Sequence, residues 1–214
     1  MKALGMIEVY SFTTALVVAD LAAKAADVRV IAMDRNRPLS ASAPAPLIMV
    51  VKIEGDVAAV NAAVETGVEY AKSKGKFVVS HVIPNPGEGV EKMAYLLDIN
   101  KDKYNKKLPK TFLGAEIVDN KISGSFGIVE VSGLVASIEG LDTMLKTADV
   151  RLVHSEKRLG GRLVTYVITG SVSAVKSAVE AGVNAAEPLG HVYGKAVIAS
   201  PHTELIKFFD MSEE

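Results

Sequence analysis

Hydrophobic positions along the chain switch between two periods in a fixed order, and the order runs twice. Residues 3–10 are apolar and β-rich enough for a strand. Ala15, Val18, Ala19, Ala22 and Ala26 then recur at helical spacing, with Thr13 or Thr14 placed to cap that helix. Val28 to Ala32 reads as a second strand, and Leu47 to Ile53 as a third, apolar enough to be buried on both sides. Gly55-Asp56 makes a turn, and Asp56 is placed to cap a helix through about residue 73 that Gly75 closes. Phe77 to Ile83 is a fourth strand, stopped by Pro84 and Pro86. The same course returns with strands near 125–131, 150–156, 162–169 and 192–199 and helices near 135–148 and 171–187.

The residues repeat as well as the pattern. Leu4-Gly5-Met6-Ile7-Glu8-Val9 returns as Phe126-Gly127-Ile128-Val129-Glu130-Val131. The stretch from Asp20 through Lys24 to Val28 returns as Asp142 through Lys146 to Val150. Gly55-Asp56-Val57-Ala58-Ala59-Val60 returns as Gly170-Ser171-Val172-Ser173-Ala174-Val175, and Val82 to Pro86 as Val197 to Pro201. Four segments in the same order mark a duplicated domain. The expected fold is α+β, with two tandem domains over 1–88 and 123–214 and a linker over 89–122. Each domain is expected to be a four-stranded antiparallel sheet with flanking helices, ferredoxin-like in plan. The linker has a helical patch from Gly89 to Leu97 and a lysine-rich polar stretch from Asn100 to Lys110, read as solvated.

Composition narrows the function. Net charge is −1, which gives no bulk attraction to nucleic acid or an anionic membrane, and the lysine-rich stretch has only Tyr104 for stacking. With no cysteine, the chain has no disulfide, thiolate nucleophile or Cys-ligated metal, as fits the cytosol. The N-terminus lacks a signal-peptide pattern, and no apolar run is long enough to span a bilayer. A hydrophobic content of 49% is ample for two cores, and the positive mean hydropathy is high for a monomer with all its surface in water. His81, His154, His191 and His202 form no ligand spacing, so no metal is expected. Glu8 and Glu130 are repeat-equivalent, which favours a structural role over acid–base catalysis. No nucleophile elbow, phosphate loop or dinucleotide fingerprint occurs.

The repeated motifs resemble those of the bacterial microcompartment shell domain. They are Gly5 to Val9 with Gly127 to Val131, Lys24 to Val28 with Lys146 to Val150, Gly55 to Val60 with Gly170 to Val175, and Val82 to Pro86 with Val197 to Pro201. Each copy opens on its Glu-containing strand, which resembles the unpermuted form of the family. The resemblance implies a non-enzymatic homotrimer whose six domains ring a central pore. Such tiles pack edge to edge with other shell proteins into a cytoplasmic polyhedral shell.

The same resemblance assigns residues. Lys24 and Lys146 match the family's tile-edge lysine. Asn85 and Ser200 stand where the family often has an arginine reaching across the seam, and Ala199 replaces the first proline in copy two. His202 remains after Pro201, whereas Gly87 stands in its place in copy one. The pore loops fall between strands two and three: Arg35, Asn36, Arg37, Pro38, Leu39 and Ser40 in copy one, and Arg158, Leu159, Gly160, Gly161 and Arg162 in copy two. Copy one's loop is longer by about half a dozen residues, and its Pro/Ala/Ser tract is expected to be extended and stiff. Three copies of each loop would bring Arg35, Arg37, Arg158 and Arg162 to one axis and favour small anionic metabolites, with Asp34 and Glu156 offsetting part of that charge. Some tandem members hold an iron–sulfur cluster through a loop cysteine, which this chain lacks, so no cofactor is expected. The alternative reading is a tandem ferredoxin-like regulatory protein that binds a small molecule. It would call for the same ligand loop in both copies, and these loops differ.

Overall fold

The computed structural model describes residues 2–38, 40, 42–90, 94, 98–100, 124–156, 159–160 and 162–209. The chain divides into two compact units, Met1–Leu108 and Pro109–Glu214. The first contains β1 (Ala3–Tyr10), α1 (Phe12–Ala25), β2 (Val28–Asn36), β3 (Ile48–Gly55), α2 (Val57–Ser73) and β4 (Phe77–Ile83). The second contains β5 (Ser125–Ser132), α3 (Leu134–Thr147), β6 (Val150–Glu156), β7 (Leu163–Gly170), α4 (Val172–Ala186), β8 (Val192–Ile198) and a terminal helix α5 (Thr203–Phe209). Both sheets are antiparallel, ordered β2-β3-β1-β4 and β6-β7-β5-β8. This is the expected α+β plan, with α5 added.

The repeated glycine of the first strand has a steric cause. A Cβ at Gly5 would lie 2.7 to 2.9 Å from Val60, Ile53 and Val64, and at Gly127 the same distances from Val179, Ile168 and Val175. The first strand of each sheet therefore lies hard against its second helix, and any side chain there would force them apart. That contact also fixes the faces. Gly5, Ile7 and Val9 turn toward the helices, so Met6 and Glu8 turn to the other face of the sheet.

Caps differ from expectation in informative ways. Ser11 caps α1: its Oγ accepts from the backbone N of Thr14 at 3.5 Å, while its own backbone sits at φ 77. The equivalent residue before α3 is Gly133, at φ 92. A positive φ is cheap for glycine and strained for serine, and the capping bond offsets part of that strain. Asp56 stands at the N-cap of α2 without a side-chain capping bond and pairs instead with Lys2 at 3.1 Å. Its counterpart Ser171 does cap α4, accepting from Ala174 N at 3.2 Å. Gly75, at φ 64, closes α2 as expected, and Lys76 N donates to Ala71 O at 2.9 Å across it.

The two cores are not identical. Tyr166 is buried in the second unit, where burial pushes its hydroxyl pKa up to about 12. Room for it comes from Gly140, where a Cβ would lie 2.6 Å from the Tyr166 hydroxyl oxygen. Val51 and Val18 hold the equivalent places in the first unit, so a large–small pair replaces two medium side chains.

Candidate functional site

The helix ends carry the repeated lysines. Lys24 Nζ lies 2.6 Å from Asp20 Oδ2, and Lys146 Nζ lies 2.6 Å from Asp142 Oδ2. Both are i,i+4 pairs in the order that also suits the helix dipole. The hydrogen bond to Asp142 holds Lys146 above the usual lysine range. Asn85 and Ser200 are exposed beyond β4 and β8. His202 is committed locally, since its Nδ1 accepts from Glu204 N at 3.2 Å at the start of α5.

The loops after the second strands are built differently in the two copies. β2 runs on past Ala32 to Asn36, so Arg35 and Asn36 lie in the strand and Arg37 just beyond it, all three exposed. Pro38 is half-buried and Ser40 exposed, while Leu39 lies outside the described residues. The tract that follows is not extended. Ala43 N donates to Ser40 O at 3.3 Å, the Ser40 and Ser42 hydroxyls are 2.7 Å apart, and Ala45 and Leu47 are buried. Serine hydroxyls and apolar anchoring turn this stretch back on itself, which outweighs the stiffness of its prolines. In copy two Leu159 is buried, Gly160 sits at φ 85, and Arg162 is exposed at φ 60. Arg158 and Gly161 lie outside the described residues. Both loops end on a pinned carbonyl: Ser11 N donates to Leu47 O at 3.0 Å, and Gly133 N donates to Arg162 O at 2.9 Å.

Asp34 and Glu156 are buried on the helix-free face of their sheets, Asp34 beside the Lys52 ammonium and Glu156 beside the His154 imidazole. Lys52 Nζ lies 2.5 Å from Asp34 Oδ2 and donates to Ala94 O at 3.0 Å. Ile99 N donates to Met33 O at 3.0 Å, and Asp98 forms an isolated backbone β-bridge with Asp34, so Ala94, Asp98 and Ile99 lie beside this pair. In copy two His154 Nε2 lies 3.9 Å from Glu156 Oε2, and the Phe209 ring of α5 lies 5.2 Å from the imidazole. Glu130 is fully buried and Glu8 half-buried; each shares its row with the buried carboxylate, through Thr165 to Glu156 and through Val50 to Asp34. A structural setting fits both glutamates. Sequence reasoning missed these pairs, although a lysine inside the apolar run Ile48 to Ile53 was the available signal.

The third feature is a stripe on α3. Its inner face, with Ala136, Gly140 and Met144, packs in the core, while Leu134, Val135, Ile138 and Leu145 are 66%, 71%, 61% and 41% exposed on the outer one. Their counterparts Phe12, Thr13, Leu16 and Ala23 on α1 are all buried.

A family model for the BMC domain matches this chain twice, over residues 3–86 and 125–201. The chain belongs to the bacterial microcompartment shell family. It is a tandem-domain shell protein, and members of this family are structural. It is 31% identical over 204 residues, 95% of its length and 67% of the relative's, to the carboxysome assembly protein CcmO of Synechococcus elongatus. Single-domain relatives match less of it. The microcompartment shell protein PduA of Citrobacter freundii is 47% identical over 83 residues, 39% of this chain and 88% of its own length. EutM of Escherichia coli K12, another shell protein, is 42% identical over 85 residues, 40% of this chain and 87% of its own. No helix among the described residues is long and apolar enough to cross a membrane.

Proposed function

We propose that three copies of this shell protein close into a flat six-domain tile around a central pore, and that the tile packs with other shell proteins around enzymes in the bacterial cytoplasm. The observation that carries this reading is the open stripe on α3, Leu134, Val135, Ile138 and Leu145, whose α1 counterparts are buried within one chain. A contiguous apolar helix face in water is costly, and a second copy is the occupant that a duplicated, ring-forming domain provides. The likeness to a relative named for carboxysome assembly supports a role beside other shell components.

In this reading the loops after β2 and β6 line the pore, and Arg35, Arg37, Arg158 and Arg162 set its charge. Such a positive opening favours small anionic metabolites, with Asp34 and Glu156 offsetting part of the charge. Replacing Arg35 and Arg37 by Ser should lower anion flux about tenfold relative to neutral solutes of similar size, measured across shells rebuilt with the variant. Unchanged relative flux would place the arginines elsewhere than the pore.

Lys24 and Lys146, with Asn85, Ser200 and His202 by the family resemblance, are assigned to the tile edge. Each lysine's bond to an aspartate one turn back orients it, with Lys146 fully on the surface. Changing both lysines to Glu should leave the solution mass unaltered and abolish sheets in negative-stain images of concentrated protein. Sheets that form as readily as before would remove the edge assignment.

A further inference from the structure

The two copies differ over much of their surface. Ala25, Ala58, Asn61 and Ala62 are exposed in the first unit, and their counterparts are Thr147, Ser173, Lys176 and Ser177. Against that background Asp27, Arg29 and Val57 are exposed and return, unchanged and exposed, as Asp149, Arg151 and Val172. All three lie at one corner of each unit. The β2–β3 ladder sets Val28 opposite Gly55 and Arg29 opposite Glu54, just before α2 begins at Val57. A Cβ at Gly55 would lie 3.0 Å from Asp27 O, and one at Gly170 would lie 2.8 Å from Asp149 O. The start of the second helix is therefore pressed against the turn that carries the aspartate. This corner is the opposite end of the hairpin from the β2–β3 loop, about 25 Å away along β2. Where that loop lines the axis of a tile, the corner faces its rim.

Arg29 bonds to Glu54 and holds that carboxyl below the ordinary carboxylate range. Copy two keeps the arginine but has Thr169 opposite Arg151, so a bond to that carboxylate is not what the copies share. They share a cation, an anion and an apolar side chain on one small patch. Such a patch is self-complementary: turned about a twofold axis it meets itself, arginine to aspartate twice. We propose that Arg29 and Arg151 cross the seam between tiles, each guanidinium taking the Asp27 or Asp149 carboxylate of a second tile of this same protein, with Val57 and Val172 in the contact. The proposal rests on the six-domain tile. A planar guanidinium fork matches a carboxylate in two bonds, which an ammonium does not. The resemblance sets a seam arginine at the positions of Asn85 and Ser200, and β2 and β6 supply it here instead. One exposed ion pair contributes little, but a tile carries the corner on every unit, and contacts along one rigid edge form together.

The test pairs negative-stain images of concentrated protein with sedimentation equilibrium. Arg29→Glu with Arg151→Glu should raise the protein concentration needed for sheets at least tenfold and leave the tile mass unaltered. Adding Asp27→Lys and Asp149→Lys restores the opposite signs across the seam and should bring that concentration back to within about threefold of the original. Glu65→Lys with Glu180→Lys changes exposed charge elsewhere on both second helices and should leave sheets as they were. If Arg29→Glu, set beside Glu54, lowers the melting temperature, Arg151→Glu with and without Asp149→Lys carries the same comparison. Sheets that form as readily in the arginine variant, or that stay lost after the charge swap, would overturn the pairing. Loss of the tile mass in that variant would place the arginines inside the tile and also overturn it. An unmodified chain that sediments as a monomer would overturn the tile itself, and this edge with it.

Discussion

Ile138→Asp should separate the assembly into folded single chains. Ile138 sits mid-stripe on α3, exposed in the chain and covered by a second copy in the proposed ring. An unpaired carboxylate in an apolar interface costs about 3–4 kcal/mol, or roughly a hundred- to thousandfold in each contact's dissociation constant. A closed ring repeats that loss at every interface. The chain itself loses little, because the outer face of α3 makes no core. Sedimentation should therefore show dissociation, with unchanged far-UV circular dichroism. Leu16→Asp is the matched contrast. Leu16 is the repeat equivalent of Ile138 but is buried within the chain, so the same chemistry there should cost the fold itself.

Lys52→Ala should be among the most damaging single changes in the first unit. It strips Asp34 of the ammonium 2.5 Å away and also removes the donor to Ala94 O, leaving a carboxylate on a face with little water. Breaking a buried pair from one side costs about 3–5 kcal/mol, roughly a 12–20 °C drop in melting temperature for a unit of this size. The double change Lys52→Met, Asp34→Leu should recover most of that loss, since two apolar side chains leave no stranded charge. Calorimetry of the single and double variants checks both parts. Equal destabilisation in the two would mean that packing, and not charge, dominates at Lys52.

Much of this architecture was legible because it rests on short-range rules. The switch between period 2 and period 3.6 located the eight strands and the four larger helices found among the described residues. The repeated Gly5 and Gly127 then had a single steric reason, which three close side chains at each position supply. What escaped depends on register. Lys52 and His154 stand in unrelated stretches of sequence, and only the pairing of Ala32 with Lys52 and of His154 with Val167 shows that they serve the same carboxylate position. Ser11, and not Thr13 or Thr14, caps α1, and it does so from a positive φ usually left to glycine, which sequence does not reveal. Leu134, Val135 and Ile138 count as ordinary apolar residues in any composition; solvent exposure alone separates them from the core side of α3. Helix α5 is short, and its two anchors, Leu205 and Phe209, give one helical repeat and no more.

Sedimentation equilibrium of the unmodified protein at micromolar concentration tests the central claim most directly. A tile of three chains has three times the 22.6 kDa chain mass, stable to dilution over the micromolar range. A species that stays at 22.6 kDa, or at twice that value, would contradict the six-domain ring and the pore assigned to its centre.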